Sequence, residues 1–497
     1  MARVEEFLTD RVAKAPEAIA LSDSSGARWS YANLDQASDA LAQHLRGAGV
    51  QPHDRVLLLV ENCAAAVAAL HATWKIGAVI IPFNARQTEA EVARVIKHAS
   101  PAAILTTAAS SADAAAHGAH LDGAVINGAF GEMMLVRGSS DPDPVLHDVA
   151  VLLYTTGTTG DPKGVMLTHS GVRFGGMASS GLRRMVPEDV VYGALPMSHV
   201  FGLISVLVGA CFTGAHVQIE ARFSAQKLYE AAMGGVTIIP AVPQMHALVM
   251  QYTKEQGLDR LGAPNLRYVS SGGAPLDPAW KRKAETFYEL PLQNGFGMTE
   301  TSSGASATDN PIGSPDISVG PVTPGTQARI DVDAAGGNGV DEGEVLVHGP
   351  HVMKGYYRNE AETAKALDAD GWLRTGDLGK IDDEGRLYIL GRSKELIIHG
   401  GFNVYPPEVE TALNEHPQVI QSAVVGRRKD GDEEVLAFVQ VSPHDCPTVE
   451  ALRAFVKERL TGYKRPKHIV LATLLPAAPT GKLLKHKMIE ALGRGLP

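Results

Sequence analysis

Short apolar runs recur through the first 300 positions, each separated from the next by a stretch of helical character. "DRVLLLVEN" (Asp54 to Asn62), "GAVIIPFN" (Gly77 to Asn84), "AAILTT", "AVLLYTT", "GVTIIPAVP" (Gly235 to Pro243) and "LRYVSSGG" (Leu266 to Gly273) are continuous in Val, Ile and Leu rather than alternating. Strands of that kind are buried on both faces, which predicts mainly parallel sheets covered by helices. Each run ends in Gly, Pro, Ser, Thr or Asn, at the strand ends where open α/β sheets collect their ligands. From about residue 305 Gly, Asp and Pro become dense and short strands replace the βα units, as in "DAAGGNGVDEGEVLVHGP". That predicts a small β-rich unit over about 305–393, with "GWLRTGDLGKIDDEGRLYILGR" (Gly371 to Arg392) as a hairpin turning at Asp383, Glu384 and Gly385. A third pattern begins near Lys394. "PPEVETALNEHP" is a helix bracketed by prolines, "IQSAVVGRRKD" and "EEVLAFVQV" are strands, and "VEALRAFVKERL" is an amphipathic helix. The organisation expected is a large unit over 1–393 and a small α+β unit over 394–497.

Length and composition narrow the class. A chain of 497 residues, 45% hydrophobic and 20% charged, is globular and too long for one core. A net charge of −10 argues against a nucleic-acid partner. The three cysteines, Cys63, Cys211 and Cys446, have neither zinc spacing nor a disulfide framework, which fits a reduced, cytoplasmic setting. The N-terminus has no apolar signal-peptide core. The longest apolar stretch, Ile204 to Ile219, is broken by Gly209, Thr213, Gly214 and His216, so it reads as buried core and no membrane span is expected.

Candidate chemistry starts at "YTTGTTGDPKG", Tyr154 to Gly164. Glycines let backbone N–H groups approach a ligand, and threonine hydroxyls with one lysine ammonium would reach the same ligand, a phosphate chain. An ordinary Gly/Thr surface turn is the plain alternative. The loop is not a Walker A motif, since Gly157 and Gly160 are three apart and Pro162 precedes Lys163. No G-x-G-x-x-G follows a strand either, so P-loop and dinucleotide chemistry are disfavoured.

The loop resembles the phosphate-binding loop of the adenylate-forming superfamily, which includes acyl-CoA synthetases and 4-coumarate:CoA ligases. Four more stretches resemble that family's motifs in order: "YGALPMSHVFGL" (Tyr192 to Leu203), "NGFGMTE" (Asn294 to Glu300), "RTGDLGKIDDEGRLYILGRSKELIIHGGFNVYP" (Arg374 to Pro406) and "PTGKLLK" (Pro479 to Lys485). The resemblance implies an N-terminal domain of two α/β subdomains and a β-barrel-like subdomain, with a C-terminal domain that moves about a hinge at Lys394. It implies ATP, Mg2+ and coenzyme A as the small molecules handled together with a carboxylic acid. A homodimer is compatible with it.

The resemblance also implies roles. Thr155, Thr156, Gly157, Thr158, Thr159 and Lys163 would hold the β- and γ-phosphates, and Glu300 the magnesium ion. Phe296 would lie on one face of adenine. Ser271, Gly272, Gly273, Ala274 and Pro275 would form the opposite wall, with Asn294, Gly295, Gly297 and Met298 completing the nucleotide site. Thr299 would donate to the α-phosphate or the acid. Asp377 would accept from the ribose hydroxyls, with Arg392 and Tyr388 beside it. Lys482 would bridge the attacking carboxylate and the α-phosphate. Gly400 and Gly401 would leave a channel for pantetheine, and His199 would stand at the acyl-pocket entrance. That pocket would be lined by His199, Val200, Phe201, Ser205, Val242, Met245, His246, Gly273, Gly295, Met298, Ser302 and Ser303.

These lining residues are mostly small or apolar, which suits a fatty acyl chain or an aryl group such as a cinnamate or benzoate. Malonate-type members carry an arginine before the aromatic of the adenine motif. Gly295 stands there, so a second carboxylate at that point would lack its partner. The alternative reading is an adenylating enzyme that loads a carrier protein. A nucleotide-binding regulator without turnover predicts loss of Lys482, Glu300 or Thr299, and all three are present.

Overall fold

The computed structural model describes residues 2–156, 162–273, 276–333, 341–400, 402–429, 432–477 and 483–494. Two eight-stranded sheets form the large N-terminal unit. The first has four central parallel strands, Val149–Thr156, Val79–Asn84, Arg55–Val60 and Ala103–Thr106. Arg55–Val60 is buried at every position, as a continuous apolar run in a covered sheet should be. Antiparallel strands close both edges, among them Pro162–Thr168 and the two-residue strand Gly355–Tyr356. The second sheet runs Ser303–Ala307, Leu292–Met298, Tyr268–Gly272, Ile238–Ala241, Val190–Gly193, His216–Ile219, Ile19–Asp23, Arg28–Ser30, with its six middle strands parallel.

One apolar core joins the two sheets. It draws in the helices Tyr31–Gly47 and Ala64–Lys75, and Trp74 anchors the second helix by donating its indole N–H to the Ala150 carbonyl at 2.9 Å. The first of these helices opens on a capping box between Ser30 and Asn33. The helix His169–Leu182 packs closely because it is glycine-rich: a Cβ on Gly175 would come within 2.2 Å of the Ser302 carbonyl oxygen.

The β-rich unit is a four-stranded antiparallel sheet, Gln327–Asp331, Gly343–His348, Leu373–Ile381 and Leu387–Arg392. Its last hairpin turns where the sequence predicts: Gly385 has φ +76° and donates its N–H to the Asp382 carbonyl at 2.9 Å. The stretch from Ile204 is buried, as expected, and begins inside a π-helix, Phe201–Val208. Among the described residues no helix is long and apolar enough to cross a membrane.

The small C-terminal unit has a hairpin, Ile397–His399 with Phe402–Val404, and a three-stranded sheet, Val419–Lys429, Asp432–Val441 and His468–Ala472. Helices Pro406–Asn414, Val449–Lys457 and Met488–Leu492 pack against it. Its apolar clusters are built from residues at and beyond Ile397, and the N-terminal clusters from residues up to Ile389, so the two sides bury separate cores.

Candidate active site

The site forms where the parallel strands of the second sheet end. In register, Ala241 lies beside Ser271, Ser271 beside Asn294, and Gly272 beside Gly295. Val242, Gly272, Gly273, Gly295 and Phe296 therefore meet at the carboxyl ends of adjacent strands, the position from which open α/β sheets bind ligands. Two of the glycines are dictated by geometry. Gly273 has φ +81°, and a Cβ on Gly272 would sit 3.2 Å from Cε1 of Phe201. Ala274 and Pro275 lie outside the described residues. Phe296 packs on the core of the β-rich unit. Asn294 is buried and donates its amide to the Ser318 carbonyl at 3.2 Å, so its side chain braces a loop. Gly297 passes so close to Ser303 that a Cβ would come within 1.8 Å of its carbonyl oxygen.

The phosphate hairpin pairs Thr155 with Lys163 across its stem. Gly157, Thr158, Thr159 and the side chain of Thr156 lie outside what is described. Lys163 is bound to the Glu362 carboxylate, and its ammonium stands 5.2 Å from the centre of the Tyr356 ring. The Lys163 and Lys365 ammonium groups hold the Glu362 carboxyl down at about 2. The Tyr356 hydroxyl in turn donates to Glu300 Oε1 at 2.9 Å. One tyrosine thus touches both the phosphate-loop lysine and the carboxylate of the adenine motif. Burial and the Glu300 charge push its phenol well above the usual tyrosine range, so it remains a donor. Glu300 and Thr299 share the short turn Thr299–Thr301 at the end of Leu292–Met298. Beyond the turn, Ser302 and Ser303 have φ +46° and +104°, a backbone strain that clusters at functional sites. A single carboxylate suits magnesium, which prefers phosphate oxygens and water for its other ligands. Among the described residues no cluster of three or more His, Cys, Asp or Glu stands ready to hold a metal.

The acyl-pocket candidates divide. His199 opens the turn into the π-helix, where its Nδ1 accepts the Phe201 backbone N–H at 3.3 Å. Phe201 and Ser205 lie one turn apart on that helix, and Arg183 reaches both: Nη2 donates to Ser205 Oγ at 2.7 Å, and the guanidinium carbon is 5.9 Å from the Phe201 ring centre. Val200, Val242 and Met245 belong to the main apolar core, and Met298 is partly buried against it. Ser302 is buried under the glycine-rich helix. Ser303 lies opposite Met298 on the neighbouring strand. His246 is fully buried with both ring nitrogens engaged, by the Tyr288 hydroxyl at 2.7 Å and the Ser270 carbonyl at 3.2 Å. Burial holds its pKa down to about 4, so it is a neutral core histidine rather than a polar pocket wall.

Asp377 and Arg392 are brought together, Oδ1 to Nε at 2.7 Å, in register on neighbouring strands. Tyr388 is not. It lies opposite Lys380, 5.7 Å from that ammonium, with its hydroxyl on Asp382. Gly400 has φ +59° and donates its N–H to Asp432 at 2.9 Å. Gly401 and Lys482 lie outside the described residues. On either side of Lys482, Ala477 bridges to Leu483, and the Leu484 N–H donates to the Pro476 carbonyl at 2.9 Å. Lys485 pairs with Glu410 at 2.8 Å and Glu395 at 3.1 Å, one residue beyond Lys394. Tyr356, Glu362, Arg183 and Lys485 are the residues sequence reasoning missed. Only Lys485 lay inside a recognised motif.

Comparison with known proteins agrees. The family model described as AMP-binding enzyme matches residues 8–357, and the AMP-binding enzyme C-terminal domain matches residues 408–482. 4-Coumarate–CoA ligase 5 of Oryza sativa subsp. japonica is 31% identical, covering 99% of this chain and 95% of its own. Long-chain-fatty-acid–CoA ligase FadD13 of Mycobacterium tuberculosis is 31% identical over 95% of both. The crystal structure of ATP-bound MatB from Rhodopseudomonas palustris superposes with a TM-score of 0.84 at 29% identity, covering 98% of this chain and 99% of that one. The chain therefore belongs to the AMP-binding enzyme family, the adenylate-forming superfamily, as an AMP-forming acyl-CoA synthetase.

Proposed function

We propose that this ligase activates a fatty or aromatic carboxylic acid, and that the residues assembled above perform its two half-reactions in one cleft. First the carboxylate attacks the α-phosphorus of ATP and pyrophosphate leaves; then the thiol of coenzyme A attacks the acyl carbonyl and AMP leaves. The observation that carries this reading is the convergence of Lys163 and Glu300 on Tyr356, with Gly272 and Gly295 in register on adjacent strands of the second sheet.

Attacker and phosphate are both anionic, so the protein's part is positioning and charge neutralisation. Lys163, with the hydroxyls of Thr155, Thr156, Thr158 and Thr159, holds the β- and γ-phosphates. It must leave Glu362 to do so, and the threefold contact of that carboxylate, lysine and ring makes the exchange a short movement. Glu300 would hold magnesium, which when bound would neutralise phosphate charge. Adenine stacks between Phe296 and the Ser271 to Pro275 wall. Asp377, braced by Arg392, accepts from the ribose. Thr299 donates to the α-phosphate, and the Lys482 ammonium bridges acid and phosphorus. The second half-reaction needs Lys482 withdrawn and the Gly400–Gly401 segment presented, by rotation at Lys394. The apolar lining around Phe201, Val242 and Met245 supports the acid class. Free, buried Cys63 and Cys211, whose thiols burial pushes up to about 11 and about 12, support a reduced cytoplasmic setting.

A panel of aliphatic and aryl acids, assayed for pyrophosphate exchange into ATP and for CoA-dependent AMP release, tests the reading. Fatty or aryl acids are expected to drive both. Absence of exchange with every acid would overturn it.

A further inference from the structure

Three cationic side chains are buried in the described structure: Arg55, Arg183 and Lys281. Two have carboxylates at hand, Asp54 at 3.8 Å from Arg55 and Glu285 at 3.1 Å from Lys281. Arg183, 6% exposed, has no carboxylate within ion-pair distance among the described residues. Its guanidinium donates only to Ser205, Nη1 to the backbone oxygen at 2.5 Å and Nη2 to Oγ at 2.7 Å. A buried charge without a counter-charge is unfavourable, and burial pulls the affinity of this guanidinium for its proton downward. Of its five N–H donors two are used. Because Ser205 Oγ accepts from the guanidinium, its own hydrogen is left to donate elsewhere.

The position of this charge is informative. Arg183 lies against residues assigned to the acyl pocket: its guanidinium carbon is 5.9 Å from the centre of the Phe201 ring, whose edge also meets the glycine wall at Gly272. The cation therefore adjoins two residues assigned to that pocket, Phe201 and Ser205. Gly295 leaves no arginine before the aromatic of the adenine motif. Arg183 supplies a cation beside Phe201 and Ser205 instead.

We propose that Arg183, with Ser205 as its hydroxyl relay, is a specificity-determining residue, and that the acid this ligase activates best carries a second carboxylate remote from the one it adenylates. The inference rests on the assignment of Phe201 and Ser205 to the acyl pocket. The distal carboxylate completes an ion pair that the fold leaves half-made, with the ligand body lying over Phe201.

The test compares matched acids, each linear or aryl monoacid against the diacid with the same body, by kcat/KM for pyrophosphate exchange. Wild-type protein is expected to favour at least one diacid about 10- to 100-fold, the worth of a hydrogen bond to a charged group. Arg183→Met brings that ratio to about one, with the loss in KM rather than kcat, and Arg183→Lys restores part of it. If Arg183→Met does not fold, Ser205→Ala is expected to lower the same ratio severalfold. A second readout needs no turnover: the preferred diacid, without ATP, raises the Tm of wild type and not of Arg183→Met. A wild-type preference for every monoacid, or a diacid preference and Tm shift untouched by both substitutions, overturns the proposal. If no acid drives exchange, the ligase reading fails instead, and the Tm shift alone decides the role of Arg183.

Discussion

Tyr356→Phe removes one oxygen from the site and leaves the ring where it is. The lost atom is the donor to Glu300 Oε1, at 2.9 Å. The ring, which packs against the main core and sits 5.2 Å from the Lys163 ammonium, remains. A hydrogen bond to a charged group is worth about 1.5–3 kcal/mol when buried. Tyr356 and Glu300 are both only half-buried, so about 1–2 kcal/mol is the appropriate range, roughly 5- to 30-fold in an equilibrium constant. The loss belongs in the free-magnesium requirement of adenylation, because the hydroxyl orients the carboxylate proposed as the ion's ligand. The assay is pyrophosphate exchange titrated with free Mg2+ at saturating ATP and acid. The apparent magnesium constant is expected to rise by that factor while the rate at saturating magnesium stays within about twofold and Tm changes little. An unchanged magnesium constant would refute the argument. So would a rate loss that high magnesium does not repair, because the hydroxyl would then act on something other than Glu300.

Lys482→Ala is expected to lower adenylation by about 100-fold or more, the scale of losing one preorganised charge stabiliser. Thioester formation from supplied acyl-AMP should survive, and equal damage to both halves refutes the assigned role. Lys485→Met, which breaks the pairs with Glu410 and Glu395, is expected to lower adenylation about 10- to 100-fold by loosening the segment that carries Lys482; Lys485→Arg should restore most of it. Acidification should destabilise the fold. His71, His169, His246 and His351 are buried, and desolvation holds their pKa values down to about 3, 3, 4 and 4. Each is then less protonated folded than unfolded between about pH 6.5 and its folded value, so stability falls as pH falls, by about 1.4 kcal/mol per pH unit per histidine. His351→Phe should flatten Tm against pH in that window, and an unchanged slope would contradict the assignment.

The architecture was legible because burial on both faces leaves a mark on every residue of a strand. Arg55–Val60 needs no partner in sequence to be read as a covered parallel strand. The Gly272–Gly273 pair, expected as a small-residue wall, also answers to local backbone demands, a close approach to Phe201 and a positive φ. What escaped depends on side chains meeting across the fold. Tyr356 reaches Lys163 and Glu300 because the strand Gly355–Tyr356 adds to the edge of the first sheet, and no local pattern announces that. In "GLRRMVPED" the two arginines look alike, but the helix end turns Arg183 inward and leaves Arg184 exposed against Asp309 at 2.6 Å. Tyr388 was expected at the ribose. A register shift between Leu378 and Gly379 separates its position from that of Arg392, and its side chain goes to Lys380 and Asp382. His246, polar by type, is core by environment, with Tyr288 and Ser270 filling both its nitrogens.

The same ion pairs that hold the site also confine its movement. Arg392 is fixed to the four-stranded sheet by Asp377, at 2.7 Å. Glu395 is fixed to the C-terminal unit by Lys485, which is fixed in turn to Glu410 on the helix Pro406–Asn414. Only Ser393 and Lys394 stand between those anchors, within the single 3-10 turn Ser393–Glu395. The cores on the two sides are separate, so rotating one against the other breaks neither. Any such rotation has to be absorbed by the backbone dihedrals of those two residues. Gly400 is tied to the C-terminal unit through Asp432, and the segment beyond Lys482 through Lys485. Both belong to the same unit, so in the proposed mechanism one rotation about Ser393 and Lys394 moves both together.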